Sequence, residues 1–162
     1  MSLINQIGKV VVCILLALLA IVTACAKNDH NKDEINTYYG HYNVVDVQRY
    51  RGGLTTVEQA KQHIGDKIIL CPTIFSDFIS QIKPPIYKVV IEKVEKEEGV
   101  VPPKNSVFYG FMPERDFIHY IEVFEKSDMK NFYTRYEVIG QNKLMESYDG
   151  FFYKMDKIAS CQ

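Results

Sequence analysis

The stretch Lys143-Leu144-Met145-Glu146-Ser147-Tyr148-Asp149-Gly150-Phe151-Phe152-Tyr153-Lys154-Met155-Asp156-Lys157-Ile158 decides the fold. Two runs rich in aromatic and aliphatic residues flank Asp149-Gly150, a dipeptide that favours a two-residue type I′ turn because both of its residues tolerate positive φ. A hairpin of strands 143–148 and 151–158 is predicted. Phe151, Tyr153 and Met155 then share one face, and they are expected to close a sheet against the first strand.

Working back from that hairpin, the chain reads as further strands and turns. Segments 131–139 and 117–124 are strands, separated by the turn-like Lys126-Ser127-Asp128 and followed by the turn Gly140-Gln141-Asn142. Segment 107–111 is a weak strand candidate. After Pro84-Pro85, segment 86–94 is a strand with Tyr87, Val89 and Ile91 on one face. Segment 75–82 is ambiguous between strand and helical turn, 67–71 is a strand stopped by Pro72, and 40–50 is the first strand. One short helix is expected within 54–65, with Thr55 as N-cap, Glu58 completing a capping box, and Val57, Ala60 and Ile64 on one face. The longest loop, 95–104, mixes charge, glycine and two prolines, and reads as a connector or a lid. The expected fold is mainly β: an antiparallel meander of seven to eight strands closing into a small barrel, with one short helix after the first strand. Closure removes the exposed edges that an open sheet would leave.

Composition narrows the class of function. The chain has 162 residues, a formal net charge of −1, 12% aromatic residues and no Trp. A near-neutral balance gives no electrostatic footprint for nucleic acid. The 20 aromatic side chains, 11 Tyr and 9 Phe, either pack the core or line the barrel and its mouth. Among them, Tyr87, Tyr109, Tyr120 and Tyr136 are the ligand-binding candidates.

The first residues address the chain to a membrane. After Lys9 comes the unbroken apolar run 10–22, which at ~1.5 Å per residue covers roughly 20 Å of a hydrocarbon core about 30 Å thick. That is short for a spanning helix and suits a secretory signal. Val22-Thr23-Ala24-Cys25 resembles a bacterial lipobox, which implies cleavage after Ala24 and acylation of Cys25. The alternative is an uncleaved signal anchor, with Cys13 and Cys25 as ordinary apolar residues. The resulting organisation is a signal peptide over 1–24, a polar tether over 25–36 and one barrel domain over 37–162, exposed on the extracytoplasmic face of the cell envelope. Cys71 and Cys161 are an even pair in an exported domain and are expected either to form a disulfide between neighbouring strands or to remain two buried thiols.

Little in the sequence recommends catalysis. There is no Gly-x-Ser-x-Gly and no glycine-rich phosphate loop, so neither a serine nucleophile nor a nucleotide cofactor is expected. His30, His41, His63 and His119 lack metal-ligand spacing, so no metal site is predicted. Glu114, Asp116, Glu122, Glu137, Glu146 and Asp149 include enough carboxylates for paired-acid chemistry. Their alternation with apolar residues instead puts most of them on the wet face of the strands, with Asp149 serving the turn.

The lipoprotein-like start, the opening Gly40-His41-Tyr42, the early helix and the closing Tyr148-Asp149-Gly150-Phe151-Phe152 resemble small bacterial lipoproteins with a lipocalin-like barrel. In a typical lipocalin the first strand opens with Gly-x-Trp. Here Tyr42 stands in the Trp position, and the later Thr-Asp-Tyr motif is absent. The resemblance implies that Gly40 and Tyr42 close the barrel floor. The expected function is a non-enzymatic binding module, lipid-anchored through Cys25, for a small apolar ligand or an envelope protein. The alternatives are an inhibitor or immunity role, in which the acidic segment Glu95 to Glu98 meets a basic target, and an envelope hydrolase with paired carboxylates.

Overall fold

A computed structural model of the chain describes residues 34–96, 104–125 and 129–161. The signal segment, Cys25 and most of the acidic loop lie outside these residues. From Thr37 onward the chain forms one unit. Among the described residues it contains a helix, α1 (Val57–Lys61), and nine strands. The first four are β1 (Gly40–Arg49), β2 (Lys67–Cys71), β3 (Ile74–Ser76) and β4 (Gln81–Ile82). The other five are β5 (Ile86–Lys93), β6 (Phe117–Phe124), β7 (Thr134–Gly140), β8 (Lys143–Tyr148) and β9 (Phe151–Ala159). They form one sheet in the order β4-β3-β2-β1-β9-β8-β7-β6-β5. Every pairing is antiparallel, and the sheet curls into a half-barrel.

The strand count exceeds seven or eight because the ambiguous segment 75–82 supplies β3 and β4, whereas 107–111 forms turns. The two ends of the sheet do not pair with each other. Side chains bridge the seam instead. The Tyr87 hydroxyl on the edge strand β5 donates to the carbonyl of Cys71 at 3.0 Å and approaches that of Ile74 at 3.4 Å. Phe75 on β3 meets the Tyr136 ring on β7 at 6.1 Å. Four strands separate β3 from β7 in the sheet, so Phe75 and Tyr136 can touch only across the hollow, which identifies the interior face. Register shifts in β1 against β9, and in β7 against β8, supply the local bends that curl the sheet.

Strand alternation fills that interior. Tyr42, Val44, Leu144, Tyr136, Tyr153 and Met155 are buried there together with Phe75. The Tyr42 hydroxyl donates to the Tyr38 carbonyl at 2.5 Å, and a Cβ on Gly40 would lie 2.6 Å from the Ala159 carbonyl oxygen. The opposite face is also partly covered, because segment 104–116 folds back over β5 to β9. Phe111 meets Phe152 at 5.7 Å, Tyr50 stacks on Phe152 at 4.1 Å, and Val107 packs on Val94, Ile118 and Tyr120. Segment 104–116 is therefore a fitted cover on the outer face.

Two local expectations require correction. The helix cap is Thr56, with Gln59 completing the box, one residue later than Thr55 and Glu58. Thr55 is displaced from that role because its amide donates to the Asp149 carboxylate at 2.6 Å. Ala60 is buried as expected, but α1 ends at Lys61, leaving Ile64 in the following turn and exposed. Cys71 and Cys161 do form a disulfide, with Cα atoms 5.8 Å apart. Their strands are not neighbours, however, because β1 lies between β2 and β9. Both cysteines sit past the start of β1, where Gly40 pairs with Leu70 and His41 with Ala159, so the bridge spans its leading end.

Candidate functional site

The polar groups that break the apolar pattern gather where β7 and β8 separate. Their ladder ends at Tyr136↔Glu146. Beyond that pair, Thr134 and Arg135 remain paired with β6, while Ser147 and Tyr148 remain paired with β9. The opening leads into a cavity of about 400 Å³. Its walls are the outer face (Glu92, Tyr120, Glu137, Met145, Phe152), the cover (Lys104, Asn105, Ser106, Tyr109) with Tyr50, and the mouth (Phe132, Tyr133, Tyr148). The mouth aromatics are exposed. Most of the cavity thus lies outside the curled sheet, and its inner end passes through the gap between β7 and β8 to reach Thr134 and Glu146.

Three carboxylates line this space, and two of them, Glu137 and Glu146, are buried, contrary to the wet-face expectation. Glu137 points outward and lies 2.6 Å from the Arg115 guanidinium. The same Arg115 nitrogen donates to Ser106 Oγ at 3.0 Å, which ties the cover to the sheet. Glu146, one residue out of phase, points inward. It accepts from the Thr134 hydroxyl at 2.5 Å through Oε1, while Oε2 has no hydrogen-bond partner among the described residues. The Tyr136 hydroxyl is likewise buried without a partner. Arg135 at the rim donates to Glu92 at 2.8 Å and lies 3.4 Å from the Tyr120 ring centroid, an ion pair combined with a cation–π contact.

Burial raises the Glu146 carboxyl to about 7; the Thr134 hydrogen bond opposes this rise and the Asp77 charge adds to it. Burial likewise raises Tyr120 to about 12 and pushes Tyr136 upward, so both phenols stay neutral. For Glu146 the folded value exceeds the unfolded one. The stability gained by burying the neutral acid is fully present below about pH 4.5 and is lost as pH rises through about 7. The difference is on the order of 3 kcal/mol. Glu146→Gln is therefore expected to leave the melting midpoint nearly unchanged at acid pH and to raise it at about pH 8. A variant no more stable than the native chain at the higher pH would contradict this placement.

Of the four tyrosines singled out from sequence, Tyr109 and Tyr120 reach the cavity. Tyr136 is sealed in the interior beside Glu146, and Tyr87 holds the seam. The sequence reading named Glu146 only among carboxylates placed mostly on the wet face, and missed Arg135 and Thr134 as site residues. Their signal was a short one: Glu146 falls in phase with Leu144 and Tyr148 on the face that the hairpin was expected to bury. Among the described residues, no group of three or more His, Cys, Asp or Glu side chains is arranged to hold a metal. The chain matches no protein-family model, no curated protein and no solved structure.

Proposed function

We propose that this protein is a lipid-anchored, extracytoplasmic binding module that holds a small molecule with an aromatic or apolar body between the outer face of its sheet and the 104–116 cover. The cavity carries the reading. Its volume of about 400 Å³ falls in the range that small ligands fill, and its walls combine tyrosine and phenylalanine with a few fixed polar groups. The anchor rests on the lipobox-like Val22-Thr23-Ala24-Cys25 and the short apolar run before it.

The hydrolase reading has one observation in its favour, since Glu137 and Glu146 both line the cavity and differ in environment. It ranks second because register puts the two side chains on opposite faces of the sheet, Glu137 opposite Met145 and Glu146 opposite Tyr136.

Native mass spectrometry of the protein purified from its own cells tests both parts of the proposal. A retained small-molecule mass that is lost on denaturation is expected, on a chain beginning at an acylated Cys25. A bare polypeptide mass would count against the ligand, and an unmodified chain starting at Met1 against the anchor.

A further inference from the structure

We propose that the inner end of this cavity is a head-group site for a protonated amine carried on a small aromatic or apolar body, with Glu146 as its anionic acceptor. This rests on the binding reading above and gives the ligand a chemical class. Glu146 lines the cavity, is 6% exposed, and presents one carboxylate oxygen with no donor among the described residues. A buried acceptor left unmade is costly, and a donor arriving with a ligand removes that cost.

The charges around Glu146 favour a cation. From β7 it faces the Thr134 and Tyr136 hydroxyls, from β9 the Tyr153 ring, and from the β3–β4 connection Asp77 with its partner Tyr133. None of these groups is cationic. The guanidinium groups near the cavity are already engaged, Arg135 with Glu92 and Arg115 with Glu137 and Ser106. Lys104 is carried by the cover and is exposed. The unpartnered Glu146 oxygen is shut off from solvent, so an ammonium ion donates to it once the carboxylate turns into the gap between β7 and β8, whereas an anion would meet Glu146 and Asp77 unfavourably. Tyr109, Tyr120 and Phe152 provide apolar wall for the body.

Calorimetric titration of the full chain with phenethylamine, phenethyl alcohol and phenylpropionate tests the assignment. At about pH 8 the amine should bind about tenfold more tightly than the alcohol, and phenylpropionate should bind most weakly. At about pH 6, where Glu146 is mostly protonated, the amine should lose about tenfold in Kd while the alcohol changes little. Glu146→Gln should equalise amine and alcohol without weakening the alcohol. The pH series on the native chain decides the matter even if that variant misfolds. Equal affinity for amine and alcohol at about pH 8 overturns the head-group assignment and leaves the cavity as a binding site. Failure of all three probes to bind overturns both.

Discussion

Gly150→Val is expected to destabilise the domain by on the order of 3–5 kcal/mol. Asp149 and Gly150 take φ of +41° and +86°, so both turn positions lie in the left-handed region, as the Asp-Gly sequence predicts. Valine there brings backbone strain of roughly 1–3 kcal/mol. A second cost comes from the neighbours. A Cβ at Gly150 would lie 2.8 Å from the Arg51 carbonyl oxygen and 2.9 Å from that of Gly52. That segment cannot simply withdraw, because the amides of Tyr50 and Arg51 donate to the Gly150 carbonyl at 3.0 and 3.3 Å. Just beyond it, the Leu54 and Thr55 amides donate to the Asp149 carboxylate, at 3.1 and 2.6 Å. These hydrogen bonds, with the Thr55 hydroxyl foremost, hold the Asp149 carboxyl below the usual range. Crowding of this kind typically adds about 1–3 kcal/mol. Gly52→Ala is the control, since a Cβ at Gly52 meets nothing within 4 Å. Thermal melts that fail to separate the two variants would show that the turn does not anchor the exit of β1.

Removing the Cys71–Cys161 bridge by replacing both cysteines with serine should cost about as much. The bridge closes a sequence separation of 90 residues, for which loop-closure entropy gives about 4.5 kcal/mol. In a domain of this size that corresponds to a fall in melting midpoint of more than about 10 °C. Because the gain comes mainly from restricting the unfolded chain, the denaturant m-value should rise in the doubly substituted protein. A midpoint within about 2 °C of the native value would mean that sheet pairing alone holds the two chain ends together.

The hairpin, the antiparallel class and the disulfide were legible because each depends on short-range chemistry or on a simple pairing argument. The Asp-Gly turn is fixed by φ, and the Phe151, Tyr153 and Met155 face by the two-residue period of a strand. The helix cap slipped by one residue because a contact between Thr55 and Asp149, 94 positions apart, decided which threonine was free to cap. The cavity was invisible for the same reason. It forms where one ladder stops while its neighbours continue, and pairing of that kind depends on several strands at once. Glu137 and Glu146 read as solvated because alternating acids usually are. The cover that buries Glu137 comes from segment 104–116, which follows the loop read as a connector or a lid and in which only a weak strand was expected.

The pairing of β1 with β9 also governs the order of events in folding. Residues His41 to Asn43 also pair with β2, but the full length of the strand, His41 to Arg49, finds its partners in Phe151 to Ala159, so this central ladder closes a loop of more than a hundred residues. Such a sheet has high contact order, and assembly on a scale of milliseconds to seconds is expected rather than microseconds. A chain synthesised amino end first cannot complete this ladder until Phe151 to Ala159 have been made. Until then β8 also lacks one neighbour, so the middle of the sheet is the last part to be assembled.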